Sequence, residues 1–249
     1  MHFKAALRLF RLFLIPEGQH WVKVPNFTKN RNMKQFAYFL ILICLGLSAN
    51  GFSQNFSPAE RELILSGDTA NMMRVLQYNN PADLLILNTP SADIDPADPL
   101  LPLLASRMFK SMLDSANPGV GISAPQVGIN RNAFWIQRFD KSGKHYEFCI
   151  NPKIMKYSIL HRKGGEGCLS MPGERGLVYR SYAIQVEYLT LNGETRNEML
   201  DDNTAVVFQH EADHLLGWLF PDRMREQQGI FFMQIPQGME FYIRPGFNK

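Results

Sequence analysis

Cysteine is scarce in this chain, and so is any strong imbalance of charge. Of 249 residues only three are cysteine, Cys44, Cys149 and Cys168, and an odd, sparse set is a poor disulfide framework for a chain of this size. Chemistry accounts for at least one of them better than a structural staple does. The formal net charge is +3, partly concentrated near the N-terminus, so no basic footprint argues for nucleic acid as a partner. No apolar run reaches the roughly 18–20 residues that a membrane-spanning helix needs. Internal repeats and low-complexity tracts are absent as well. What remains is an ordinary globular composition, 45% hydrophobic and 20% charged, in a chain longer than one domain of modal size requires. The expected organisation is one domain that carries the chemistry, residues 54–249, and an N-terminal extension, residues 1–53.

Within the extension, Met33-Lys34-Gln35 precedes an apolar run at 36–47 and a small, polar stretch at 48–54. A basic start, an apolar core of about a dozen residues and a small-residue exit form the pattern of a secretory signal peptide over residues 33–53, with cleavage near Ser53. No stable membrane span is expected once it is removed. Met1 and Met33 both stand as start sites, because residues 1–32 are basic and aromatic without clear periodicity. Ile43 precedes Cys44 where lipoprotein signals carry a small residue, which makes a lipid anchor the minority reading. A buried helix at 36–47 is a weaker alternative.

Further on, Ser57-Pro58-Ala59-Glu60 has a capping Ser, a Pro in the first turn and a Glu three residues after the cap, and so starts a short helix. A second helix is expected over 71–78, with loops at Asn79-Asn80-Pro81 and at 88–99. Leu100, Leu104, Met108 and Met112 recur every four residues and predict an amphipathic helix ending before Asn117-Pro118-Gly119. Strands follow at 133–139 and 146–150, then a hairpin over 183–199 closed by Asn192-Gly193 as a two-residue turn. A strong helix starts near Asp201-Asp202-Asn203 and runs through His214, with Gly217 placed to stop it. Cys149 reads as a small core residue of an apolar strand, and His145 and His161 as surface histidines in loops. The fold class is therefore α+β, with antiparallel strands around one central helix.

That helix carries Gln209-His210-Glu211-Ala212-Asp213-His214. In His-Glu-x-x-His the two imidazoles lie four residues apart on one face and can grip one metal ion, while the Glu sits beside it, free to handle protons. Short motifs recur by chance, and a surface helix with two satisfied histidines would look the same. Two histidines supply only two ligands, and a catalytic site needs a third plus an open position for water. No histidine follows His214, and the carboxylates downstream are Asp222, Glu226 and Glu240. Upstream, Gly164-Gly165-Glu166-Gly167-Cys168-Leu169-Ser170 places a cysteine in a glycine-rich loop, where a thiolate is a natural third ligand.

Three ordered motifs now resemble those of the peptide deformylases: Gly119-Val120-Gly121-Ile122-Ser123-Ala124-Pro125-Gln126, then Glu166-Gly167-Cys168-Leu169-Ser170, then Gln209-His210-Glu211-Ala212-Asp213-His214. The resemblance covers roughly residues 100 to 225. It implies one divalent metal ion held by Cys168, His210 and His214, Fe(II) first and Zn(II) second, with Glu211 as general acid and base. It also implies that Gln126 and the backbone N–H of Leu169 donate to the developing formyl oxyanion. The substrate would be an N-formylmethionyl peptide or nascent polypeptide, bound as an added strand along Val120, Gly121 and Gly167. Arg175 matches an arginine that supports the site in the family, and Asp213 would orient a ligand from behind. Ile122-Ser123 stands where the family usually has Leu-Ala, and the proline-bearing opening segment is only loosely visible at 88–102.

The implied reaction belongs to the cytosol or to organelles, whereas the signal-like segment points to export. Two rival readings stay open beside the metal-dependent deformylase. One is a divergent protein of the same fold that binds formylated peptides or acts on another amide outside the cytoplasm. The other is a zincin-type protease, for which Cys168 would be dispensable.

Overall fold

Helix α1 (Pro58–Leu65) starts at the expected capping box. Ser57 Oγ accepts from the Glu60 N–H at 3.3 Å, and the Glu60 carboxylate accepts from the Ser57 N–H at 2.7 Å. The computed structural model describes residues 55–235, so the signal-like segment 33–53 lies outside the described residues. Among the described residues no helix is long and apolar enough to cross a membrane.

Residues 71–78, expected as a helix, form none. Their backbone is claimed from outside: the Met73 N–H donates to Ser111 Oγ at 2.8 Å, the Leu76 N–H to the Gln126 carbonyl at 2.8 Å, and the Tyr78 N–H to the Ser170 carbonyl at 2.9 Å. Such tertiary bonds outcompete a short local helix. The second helix, α2 (Pro81–Leu87), comes just afterwards, and Asn80 caps it by accepting from the Ala82 and Asp83 N–H groups. The Asn-Pro pair expected in a loop is thus a helix start, a cap residue followed by a proline whose missing N–H costs nothing. Helix α3 (Leu101–Met112) buries Leu104, Met108 and Met112 completely, as their spacing predicts.

Among the described residues, eight strands form two sheets. The larger has the order β1 (Gly121–Ser123), β2 (Ala133–Arg138), β3 (His145–Tyr157), β6 (Ala183–Leu189), β7 (Thr195–Asp201); the smaller has β5 (Met171–Ser181), β4 (Leu160–Cys168), β8 (Met233–Gln234). Among the described residues every strand pairing is antiparallel except the short one between β4 and β8, and an isolated parallel bridge joins Ala92 to Arg131. His145 and His161 lie in strands β3 and β4, not in loops. The β6–β7 hairpin closes through three residues, 191–193, rather than two. The Thr190 N–H donates to the Glu194 carbonyl and the Gly193 N–H to the Thr190 carbonyl, both at 2.9 Å, with Gly193 at φ 77°. A glycine in the left-handed region suits this third loop position.

Helix α4 (Asp202–Leu215) lies on the large sheet. Ala205, Phe208 and Leu215 pack with Phe134, Ile136, Cys149, Ile184, Val186, Tyr188 and Leu200, and the Phe208 ring meets Phe134 edge-on at 4.9 Å. Gly217, at φ 75°, ends the helix, and a Cβ there would run into the Asn88 carbonyl. Helix α5 (Phe220–Glu226) then packs Phe220 beside Met171 and Val178 of β5.

Arg138, 1% exposed at the end of β2, donates to Asp140 at 2.8 and 2.6 Å, to Glu198 at 2.7 and 3.0 Å, and to the Tyr188 hydroxyl at 3.2 Å. The bonds from Arg138 bring the Asp140 carboxyl to about 2 instead of 3.8, against the opposing effect of burial. A carboxylate depressed in the native state adds stability above its ordinary pKa and loses it as pH falls through the native value. Melting temperature should therefore drop as pH falls from about 4 to about 2, and Asp140→Asn should melt lower at pH 7 with a shallower fall, as calorimetry across that window would register.

Candidate active site

The glycine-rich segment before Cys168 is a strand rather than a loop: Gly164 pairs with Val178 and Gly165 with Leu177, and the turn comes only at Leu169-Ser170, where Cys168 faces Met171. Glycine here lets another group approach the backbone, as Arg175 does; its guanidinium occupies the space that a Cβ on Gly167 would need. From α4, His210 and His214 present their rings edge to face, 5.0 Å apart. His214 Nε2 lies 3.3 Å from Cys168 Sγ, and the ligand atoms of Cys168, His210 and His214 all fall within 4.8 Å of one another. One sulfur and two imidazole nitrogens fit a divalent transition-metal ion with one coordination position left open.

Behind this cluster lies a buried ion network. His210 Nδ1 is 2.9 Å from Glu166 Oε2, which leaves its Nε2 for an ion. Arg180 of β5 donates to both Glu166 oxygens at 2.7 and 2.9 Å and to Asp213 at 2.5 Å, and Arg223 clamps Asp213 from the far side at 2.5 to 3.0 Å. Burial works against charge on Glu166, but the bonds from Arg180 and His210 outweigh it and bring the carboxyl to about 2. Asp213 touches neither imidazole; it reaches His210 only through Arg180 and Glu166. Neither Glu166 nor Arg180 was assigned a part by the sequence reading. The usable signal is Arg180 two positions after Val178, on the inward face of β5, since buried charges are paired.

In front of the cluster sits Glu211, 3% exposed. Its carboxylate fills the space of an absent side chain on Gly121, and Ser123 Oγ donates to its Oε2 at 2.6 Å. Burial lifts this carboxyl to about 7, against the pull of His210 and the Ser123 hydroxyl. Gln126, 1% exposed in the 3-10 turn Ala124–Val127, accepts from the Ser123 N–H through Oε1 at 2.9 Å. Its Nε2 therefore points to Cys168 Sγ at 3.3 Å and Ser170 Oγ at 3.2 Å. The Leu169 carbonyl accepts from Gln77 Nε2 at 3.2 Å, which ties the turn to the segment mistaken for a helix. Along β1 the Val120 carbonyl accepts from the Gln137 N–H at 2.7 Å and Gly121 stands opposite Ile136. In an antiparallel ladder the next residue turns its N–H and C=O the other way, so Gly121 rather than Val120 faces the sheet's outer edge. The structure thus gathers Gln126, Cys168, Leu169, His210, Glu211 and His214 into one site, with Val120, Gly121, Gly167 and Arg175 beside it.

A cysteine sulfur and two imidazoles next to a buried carboxylate fit a metal-dependent amide hydrolase. The family model described as polypeptide deformylase matches residues 72–229, and the chain belongs to that family. It is 37% identical over 139 residues to the peptide deformylase of Finegoldia magna, covering 56% of this chain and 83% of the relative. It is 36% identical over 156 residues to the chloroplastic/mitochondrial peptide deformylase 1B of Arabidopsis thaliana, covering 62% of this chain and 55% of the relative. Among solved structures, the Met-Ala-Ser-bound class I type b peptide deformylase of Acinetobacter baumannii superposes with a TM-score of 0.55 at 34% identity, over 61% of this chain and 98% of that one. The peptide deformylase of Thermotoga maritima gives 0.55 and 34%, over 61% and 97%. The enzyme is accordingly a hydrolase that removes the formyl group from the N-terminus of polypeptides, and its family is metal-dependent.

Two substitutions probe this geometry. Arg180→Met leaves two buried carboxylates without their shared cation, and should cost about 3–5 kcal/mol of stability in urea titration and weaken metal retention about 10- to 100-fold in competition with a chelator. Gly121→Ala forces the Glu211 carboxylate aside, and should lower kcat by about 100-fold while the protein remains folded and metal-loaded.

Proposed function

We propose that Cys168, His210 and His214 hold the divalent ion and that Glu211 is the general acid and base of deformylation. The observation that supports this most directly is the convergence of three ligand atoms within 4.8 Å of one another beside a carboxyl lifted to about 7. When bound, the ion supplies Lewis acidity that acidifies water and polarises the formyl oxygen. Glu211 accepts a proton from the attacking water as the water oxygen bonds to the formyl carbon, then passes it to the nitrogen as the C–N bond breaks. The products are formate and a free N-terminal amine. Gln126 Nε2 and the Leu169 N–H donate to the oxygen that becomes negative on attack; Gln126 is already oriented by Ser123, so little reorganisation is needed when charge appears.

The substrate is an N-formylmethionyl peptide, bound as an added strand against the outer edge of β1 at Gly121 and against Gly167, with Arg175 beside it. The Acinetobacter relative, solved with Met-Ala-Ser bound, supports a short peptide with methionine in front. The catalytic domain spans 54–249 in this reading, with an extension before it. Fe(II) is the preferred ion; the thiolate ligand makes it sensitive to oxidation, and Zn(II) is the replacement that resists it.

Formate release measured under anaerobic conditions tests the assignment. Fe(II)-loaded protein should release formate from a formyl-Met peptide, none from its acetyl-Met counterpart, and turn over faster than the Zn(II) form. Glu211→Gln should keep its metal and lose about 10²- to 10⁴-fold in kcat, whereas Cys168→Ala should lose both metal and activity. Full formyl-peptide activity in Cys168→Ala would overturn the assignment.

A further inference from the structure

Ser123 is fully buried at the end of β1, where the strand passes into the 3-10 turn Ala124–Val127. Two of its groups reach two different parts of the site. Its N–H donates to Gln126 Oε1 at 2.9 Å, which turns the amide so that Nε2 faces Cys168. Its hydroxyl lies 2.6 Å from Glu211 Oε2 and 3.0 Å from the Glu211 carbonyl. A hydroxyl has one proton to give, and the shorter distance is that of a charge-assisted O–H bond to a carboxylate. The other Glu211 oxygen rests against Gly121, two residues earlier on the same strand. One three-residue strand therefore restrains the carboxylate from both sides.

An alanine, the residue usual in the family, would keep the N–H bond to Gln126 and lack the hydroxyl bond to Glu211. The clamp on Glu211 is thus a property of this chain's own Ser123. Nothing in the fold demands the hydroxyl: the neighbours of Ser123 in the sequence, Ile122 and Ala124, are buried apolar core residues, and its oxygen is spent wholly on Glu211. We propose that Ser123 is a positioning residue for deformylation, which fixes the Glu211 carboxylate at the reacting centre through its hydroxyl while its N–H fixes Gln126. This rests on the reading of Glu211 as the proton carrier. A hydrogen bond that holds a catalytic group in place, without touching peptide or metal, changes kcat and leaves substrate and metal binding alone.

The test uses the metal-loaded full chain and a formyl-Met-Ala-Ser substrate. Ser123→Ala should lower kcat about tenfold, equivalent to about 1.4 kcal/mol, with KM, melting temperature within a few degrees and metal per chain all retained. Ser123→Thr, which keeps the hydroxyl, should recover most of the loss. An unchanged kcat in Ser123→Ala, or a loss accounted for by released metal or a raised KM, would overturn the proposal. The underlying reading fails by a separate route, through a Glu211→Gln protein that stays active whatever Ser123→Ala does.

Discussion

The buried guanidinium of Arg180 ties together the parts of this molecule that have to meet. It stands on β5, binds Glu166 on β4 through two bonds and Asp213 on α4 through a third. The strand carrying Cys168 and the helix carrying His210 and His214 belong to different packing units, β4 to the small sheet and α4 to the large one. Apolar contact alone would leave their relative register loose on the scale of an ångström. Three directional, charge-assisted bonds in a site of low dielectric do not. Ion pairs of this kind are poor sources of net stability, since desolvation consumes most of the attraction. Their value here is geometric: they set where a sulfur from one element stands relative to two imidazoles from another.

Around that anchor the site is built from segments far apart in sequence, each held by the backbone of the next. The stretch before Asn80 donates N–H groups to Ser170 and Gln126 carbonyls, so the turn after Cys168 and the turn bearing Gln126 are stitched to a common thread. That thread makes few bonds within itself. Its order comes from the site it supports, and a short local pattern cannot announce such dependence.

This explains why some of the molecule could be read from the sequence and some could not. The His-Glu-x-x-His helix, the capping box at Ser57 and the four-residue spacing of α3 are local signals, and each appears where its residues placed it. The cluster of Cys168 with the two histidines was legible through ordered motifs rather than through spacing, because nothing in the chain's periodicity brings residue 168 to residue 210. The misreadings have different causes. Residues 71–78 take their conformation from partners 38 to 92 positions away, whereas the Asn80-Pro81 helix start is a local cap and the glycines before Cys168 take theirs from β5, 8 to 14 positions on. Glycine in particular was ambiguous: on β4 it marks the close approach of Arg175 to a strand, where a loop had been the simpler expectation. Glu166 and Arg180 escaped assignment because a motif names residues without saying which of them face inward.

Two carboxylates within this small volume end up at opposite extremes, and the cause lies in their neighbours. Glu166 and Glu211 are both buried, and burial disfavours charge on each. Glu166 meets a bidentate arginine and an imidazole, enough to hold it ionised down to about 2. Glu211 meets a serine hydroxyl on one oxygen and the bare Gly121 backbone on the other, with no arginine hydrogen-bonded to it among the described residues, and burial outweighs the pull of His210 and the serine to lift it to about 7. A group that must stay charged to orient a ligand needs the first environment; a group that must both take and return a proton near neutral pH needs the second. Exchanging the surroundings would exchange the two ionisation tendencies. The division therefore rests on Arg180 giving its hydrogen bonds to Glu166, behind His210, and none to Glu211, which is also why the anchor of the fold and the electrostatics of the site cannot be altered independently.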